Sequence, residues 1–385
     1  MSMEKIINCF KNVFKKECEI EYFSPGRINL IGEHIDYNGG LVLPSPITLG
    51  TYAGLSLRED KIIRAYSLNF DDLGIIEFSL DNLEFKEEDN WVNYVKAILK
   101  YLKEQFTSIN FGFDVVVYGN LPNGAGLSSS ASLEVLFATI CRDLYNLPIT
   151  NVDMALLGQK VENEYFGLHS GIMDQFSIAL GKKDMAILLN CDSLEYEYFP
   201  LDLPNHKIII MNTNKRRELT ESKYNERRSE CESALEKLQV VLDAKNLCEV
   251  TIEDLEKYKN LLTDIEFKRA KHVISENIRV KDATKAFKDN DIEQFGKLLN
   301  ASHVSLKDDY AVTGPELDTL AESAWEYGAV GARMTGAGFS GCAIAIVEND
   351  KVDEFIKNVG DKYKDKIGYN ASFYIASIGN GPGKL

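Results

Sequence analysis

Residues 121–135, LPNGAGLSSSASLEV, place two glycines ahead of three consecutive serines, Ser128, Ser129 and Ser130. Glycines let the backbone approach an anion, hydroxyls can donate to it, and the unpaired amides of a helix start attract it. The chemistry that fits is phosphate binding. The preceding GFDVVVYGN alternates like a strand, and the following LEVLFATICRDLYN carries apolar residues at helical spacing. Glu134 lies four residues after Ser130, one too far for a capping box, so capping does not explain the serines. A flexible Gly/Ser linker is the competing reading, although linkers seldom join a strand directly to a helix. No lysine follows the glycines, which rules out a Walker A loop.

Three other places could do chemistry. Arg27 is the sole lysine or arginine between Tyr22 and Leu57, in a stretch that also holds Glu33, His34 and Asp36. An internal ion pair of Arg27 with Glu33 or Asp36 and a ligand site both account for it. A helix is expected over 151–166, and at about 100° per residue Asp153, Lys160 and Glu164 share one side while Glu162 falls opposite, near Ala155, Tyr165 and Phe166. Such a carboxylate is paired with a buried cation or bound to a metal, and its angle alone leaves both open. In GLHSGIMDQFSIALG, Asp174 reads as a helix start or as a catalytic carboxylate.

The elements that must hold these residues are legible in outline. An amphipathic helix opens the chain, strands broken by tight turns run from 19 to 57, and a helix is expected near WVNYVKAILKYLKEQF, where Trp91 packs it or touches a base. A strand pair covers MAILLNCDSLEYEYFPL and HKIIIMNTN, and helical patterns dominate 231–328. GARMTGAGFSGCAIAIV gives a glycine-rich turn entering a strand, where a dinucleotide site would need a helix.

Composition bounds the partners. The 385 residues carry 43 basic and 59 acidic side chains, a net charge of -16, which argues against nucleic acid or an anionic membrane. The most basic patch, Lys215, Arg216, Arg217, Arg227 and Arg228, is interleaved with glutamates and reads as a solvated helix face. Seven scattered cysteines, never spaced as CxxC, fit reduced thiols of a cytoplasmic protein without a zinc site. The first residues lack a signal-peptide core, and the longest uncharged stretch is too rich in proline and glycine to span a membrane.

The serine loop resembles the phosphate loop of the GHMP small-molecule kinases, and GRINLIGEHIDYNGG resembles the signature that opens the galactokinases among them. GAGFSG looks like the third motif of the same family. The resemblance covers essentially the whole chain. It implies an α+β GHMP kinase fold, with a ribosomal-S5-like domain over 1–185, a ferredoxin-like domain over 186–385 and some strand exchange between them. The active site would lie in the cleft.

Carried onto this sequence, the resemblance makes Glu33, His34, Asp36 and Tyr224 the sugar-binding residues, Asp174 the base, and Arg27 its partner and the stabiliser of the transferring phosphoryl. Gly124, Ala125, Gly126, Leu127, Ser128, Ser129 and Ser130 would cradle ATP, Ser67 would approach the nucleotide, and Ser130 with Glu162 would hold Mg²⁺. The implied reaction gives galactose 1-phosphate from ATP and α-D-galactose, by a protein expected to be a cytoplasmic monomer. A sister kinase for N-acetylgalactosamine or L-arabinose would share every motif. A non-enzymatic galactose sensor would be expected to lose part of the serine loop, which is whole here. Two departures from the family pattern stand out: Ile35, where many relatives have threonine, and Ser340, where most have glycine.

Overall fold

The computed structural model describes residues 2–122, 125–201, 203–215 and 220–385, with backbone alone for 220 and 221. Gly124 of the serine loop and Arg216 and Arg217 of the basic cluster therefore lie outside the described residues.

Six strands form the largest sheet: β1 (Ile20–Asn29), β3 (Pro44–Leu57), β4 (Ile62–Ser67), β5 (Ile76–Ser79), β6 (Phe113–Gly119) and β13 (Gly383–Lys384), in the order β13-β1-β3-β6-β4-β5. A three-stranded sheet joins β2 (Leu41–Val42), β7 (Met185–Asn190) and β8 (Tyr196–Pro200) in that order. The third sheet runs β10-β11-β9-β12, from β9 (His206–Asn212), β10 (Gly331–Thr335), β11 (Cys342–Glu348) and β12 (Ser372–Ala376). All pairings are antiparallel except β4 with β6. The last strand returns to the first sheet, pairing Tyr22 with Lys384, so strands from opposite ends of the sequence share one ladder.

Helices α1 (Ser2–Phe14), α2 (Val92–Gln105), α3 (Ser129–Leu144), α4 (Asn151–Lys160) and α5 (Met173–Ala179) accompany the first sheet. The second half contributes α6 (Thr220–Leu238), α7 (Ile252–Lys257), α8 (Asp264–Lys288), α9 (Ile292–Asp308), α10 (Pro315–Glu326) and α11 (Val352–Ile367). Local chemistry sets several starts. Thr150 with Asp153 and Thr263 with Glu266 form capping boxes at α4 and α8, and Pro315 opens α10. No helix among the described residues is long and apolar enough to cross a membrane.

The sequence expectations hold for the strand, loop and helix order at 113–144 and for the helical stretch after 231. The glycine-rich turn at 336–341 leads into strand β11, as expected. One detail differs. The helix expected over 151–166 is α-helical only to Lys160, and residues 161–165 form a π-turn, a feature often found at functional sites.

One hydrophobic core joins Ile28 and Ile31 of the first half to Met211, Val273 and Ile344 of the second, so the two halves are seated on shared apolar packing. Away from that seam, Asp114 at the start of β6 is fully buried. It accepts from Arg64 Nε and Nη2 at 2.7 Å each, and from Arg58 Nη1 and Lys16 Nζ at 3.0 Å each. Removing its charge by Asp114→Asn leaves three cations facing one another. They retain enough exposure to rehydrate, so the expected loss is about 2–3 kcal/mol, below the upper range for a sealed pair, read as a lower urea midpoint. Catalytic constants should not change, because Asp114 lies at the opposite end of β6 from the serine loop.

Candidate active site

β1 ends by burying Arg27, and this side chain fastens the site together. Its Nε and Nη2 donate to the two oxygens of Asp174 at 2.8 and 2.9 Å, while Nη1 donates to the carbonyl of Gly126 at 2.8 Å. One guanidinium fork thus ties β1 to the serine loop and to the first turn of α5. The pairing with Glu33 or Asp36 that spacing allowed is not formed. Arg27 is 4% exposed and Asp174 32%, so the arginine is structural on one face while the carboxylate stands open to the cleft.

Ser128 precedes α3 with φ +62° and makes no capping hydrogen bond. Its hydroxyl donates instead to Asp174 Oδ2 at 2.6 Å. A non-glycine residue in the left-handed region is a strained choice, retained here by a contact to the carboxylate. Ser129 and Ser130 form the first turn of α3, whose leading amides have no intrahelical acceptors. Ala125 and Leu127 bury their side chains, and the Leu127 carbonyl accepts from Arg27 N at 3.2 Å. Gly336 of the third motif comes so close that a Cβ there would meet the Gly126 carbonyl at 2.6 Å.

Ser130 Oγ donates to Glu162 Oε1 at 2.9 Å, which brings the two expected Mg²⁺ ligands side by side. The π-turn swings Glu162 into this position, where burial raises its carboxyl. An oxygen-only pair of one hydroxyl and one carboxylate at the edge of a phosphate cleft suits Mg²⁺, which takes one or two protein ligands and leaves the rest to phosphate and water. The residues present therefore fit the ion.

Glu33, His34, Asp36 and Tyr224 surround a cavity of about 120 Å³ together with Arg27, Asp174 and Gly171. Glu33 is nearly sealed, and its Oε2 accepts from Arg333 Nη2 at 2.5 Å. Burial pushes its carboxyl up, against the pull of Arg333 and Arg27. Asp36 is raised to about 7, by burial first and then by the charge of Asp174. Gly171 permits its place, since a Cβ there would meet Asp36 Oδ2 at 2.0 Å.

His34, at φ +62°, has Nε2 3.1 Å from the Ala337 carbonyl and Nδ1 2.9 Å from the Tyr37 hydroxyl. The carbonyl only accepts, so Nε2 carries the proton and Nδ1 accepts from Tyr37. The chain continues from Tyr37 to the Tyr310 hydroxyl at 2.8 Å and to Cys231 Sγ at 3.1 Å. Burial, with His272 adding to it, drives the imidazole down to about 3. Both ring nitrogens are spent within the protein, so in this structure His34 walls the cavity with no free N–H.

Beyond Asp174 the cavity opens into a cleft of about 640 Å³ along residues 125–130. A third space of about 470 Å³ follows, sharing Ser129 and Ser130 with the cleft and walled by Ser67, Asn69, Trp91 and Tyr94. Ser67 accepts from Asn69 N at 3.2 Å, and Trp91 both packs α2 and faces this space. Of the described residues of the basic cluster, Lys215 meets Glu316, and Arg227 and Arg228 bind carbonyls and glutamates. Ile35 is fully buried, so its alkyl side chain suits the core. Ser340 is 4% exposed with a hydroxyl lacking a partner, and nothing in the structure explains it.

Sequence reasoning did not find Arg333, Glu276, His272, Tyr37 or Tyr310 near this site. Arg333 alone left a trace, as the one charge inside the small-residue strand GARMT.

Three family models match the chain: the galactokinase galactose-binding signature over 8–57, the GHMP kinases N terminal domain over 93–182 and the GHMP kinases C terminal over 283–365. The chain is 62% identical to a galactokinase of Clostridium perfringens and 55% identical to one of Fusobacterium nucleatum, in each case over 100% of both chains. Its fold superposes on the crystal structure of Lactococcus lactis galactokinase complexed with galactose with a TM-score of 0.97, at 50% identity and full coverage of both. The Methanococcus jannaschii mevalonate kinase shares the fold, at TM-score 0.64 and 21% identity over 95% of this chain and 100% of that one.

Asp36 gives this geometry a pH signature. The folded carboxyl keeps its proton up to about 7, whereas an unfolded aspartate releases it near about 4. The folded chain holds the extra proton in that window, so stability falls as pH rises through it. Asp36→Asn abolishes the titration. Its thermal midpoint relative to wild type should be higher at pH 8 than at pH 5 by about 2 °C or more. Calorimetry at both pH values checks this, and an equal difference would mean an ordinary aspartate.

Proposed function

The chain belongs to the galactokinases of the GHMP kinase fold, ATP-dependent sugar phosphotransferases, and from that premise we propose that galactose occupies the 120 Å³ cavity with its anomeric hydroxyl on Asp174. ATP would lay its phosphates along residues 125–130 and its base beside Ser67 and Trp91. The observation that carries this reading is the place of Asp174. It is fixed by Arg27 and Ser128 where the small cavity meets the phosphate cleft.

Each group then has a task set by its surroundings. The Asp174 carboxylate accepts the hydroxyl proton as the sugar oxygen bonds the γ-phosphorus and the bond from that phosphorus to the β,γ-bridging oxygen breaks, releasing ADP, help worth ~10² to 10⁴ in rate. Arg27 holds that carboxylate in plane and brings positive charge to the junction. The α3 amides face the phosphates, and the transition state needs little more than such positioning and charge stabilisation. Ser130 and Glu162 would hold Mg²⁺. When bound, the ion neutralises charge on the β- and γ-phosphate oxygens. Glu33, Asp36 and Tyr224 offer oxygens to the sugar hydroxyls against the His34 wall, and an epimer that left buried carboxylates unpaired would be penalised.

We place the division between the two domains near residue 185. A monomer is the proposed working form, since every group named belongs to one chain. The proposed compartment is the cytoplasm, where seven thiols without disulfides persist.

The test mixes purified protein and Mg-ATP with galactose, glucose, N-acetylgalactosamine and arabinose, and follows ADP release. Galactose should turn over alone, and Asp174→Asn should lower kcat by ~10² to 10⁴ while still binding both substrates. Preference for another sugar would move the substrate assignment and leave the ATP side standing. Glu162→Gln should raise the Mg²⁺ concentration for half-maximal rate about tenfold or more, and an unchanged requirement would remove Glu162 from the metal site.

A further inference from the structure

The turn that follows β1 has no repeating structure and is almost entirely buried, so each of its amides and carbonyls needs a partner. Side chains from the second half supply them. Glu276 Oε1, on α8, accepts from Gly32 N at 3.0 Å and Glu33 N at 3.3 Å. His272 Nε2, one turn earlier, donates to the Glu33 carbonyl at 3.1 Å. Arg333 Nη1, on β10, donates to the carbonyls of Asn29 and Leu30 at 3.0 and 3.1 Å. Five backbone groups of one short turn are thus paired by three side chains more than two hundred residues away in sequence.

Arg333 does one thing more. Its Nη2 donates to Oε2 of Glu33, a residue that lines the cavity. Glu276 is itself held rigidly, by Ser302 Oγ on Oε1 and Arg279 Nε on Oε2, each at 2.6 Å. Burial opposes its charge, yet Arg279, His272 and Arg333 bring the carboxyl down to about 2, so it stays a carboxylate. Neither Glu276 nor Arg333 lines the sugar cavity or the phosphate cleft.

We propose that Glu276 and Arg333 are positioning residues for the sugar: they shape the turn over 29–33 and aim the Glu33 carboxylate, and so set the affinity for galactose without touching it. This rests on the reading of Glu33 as a sugar-binding group. The alternative is that they only cement the fold, as the Asp114 cluster does. Cement lowers stability when removed but has no reason to discriminate between the two substrates. A fork that holds two carbonyls and one carboxylate oxygen at once does discriminate, because lysine cannot reproduce it.

The experiment compares Arg333→Lys, Glu276→Gln, Glu33→Gln, the Arg333→Lys/Glu33→Gln double variant and Asp114→Asn for KM of each substrate, kcat and thermal midpoint. Arg333→Lys and Glu276→Gln should each raise KM for galactose about tenfold or more while KM for ATP stays within about twofold, the scale of a misplaced hydrogen bond to a charge. Asp114→Asn should lower the midpoint and move neither KM. The double variant should be no worse than Glu33→Gln alone, since Arg333 acts through Glu33. Additive losses in the double variant overturn the route through Glu33. Unchanged galactose KM in Arg333→Lys and Glu276→Gln, beside a raised one in Glu33→Gln, overturns the positioning role and leaves the sugar site intact. An unchanged galactose KM in Glu33→Gln removes the sugar-site reading itself. If Arg333→Lys does not fold, Glu276→Gln decides on the same readouts.

Discussion

Everything at the cleft depends on the buried fork of Arg27. A guanidinium almost sealed from water must spend its donors on the protein, and here two go to Asp174 and one to the backbone of the serine loop. Three pieces of chain far apart in sequence, β1, the loop and α5, are thereby locked at hydrogen-bond tolerance around one carboxylate. The place of the Asp174 carboxylate beside the serine loop follows from that single side chain. So does its fragility, since a lost arginine would leave both Asp174 and the Gly126 carbonyl without their partner.

The charge pattern of the site suits a cation supplied from outside. Glu33, Asp36, Glu134 and Glu162 are all raised by burial, so the second half of the site is a crowd of carboxyls reluctant to ionise. Arg27 is largely committed to Asp174, and Arg333 to Glu33 and backbone. A polyphosphate entering this cleft adds negative charge where the arginines are already committed. The Ser130–Glu162 pair is where that imbalance can be relieved, by a divalent ion that answers the buried carboxylate and the phosphates together.

Much of this was legible before the structure because it is local. Glycines before a serine run, a strand before and a helix after, a lone arginine in a neutral stretch and a carboxylate off the solvent face all depend on neighbours within a few turns of chain. What was not legible is long-range or irregular. Helical periodicity put Glu162 off the solvent stripe of a helix expected over 151–166 but could not show the π-turn after α4 that carries it. The first motif could not show that partners at 37 and 337 take both nitrogens of His34. Nothing local marks Glu276, because its partners, Gly32 and Glu33, lie 244 and 243 residues away.

Backbone strain gives the three motifs a common logic. Each carries one non-glycine residue in the left-handed region: His34 in the first, Ser128 in the second and Phe339 in the third. Such conformations cost on the order of 1–3 kcal/mol apiece and persist only where surrounding contacts over-determine them. His34 is held by its relay to Tyr37 and Ala337, Ser128 by Asp174, and Phe339 by its amide on the Val312 carbonyl at 2.6 Å. In every case a holding contact comes from a different segment of the chain, and that of His34 comes across the two halves. Each strained position is therefore shaped only once distant segments have met, which makes the assembled cleft, and no segment by itself, the unit that the sequence encodes.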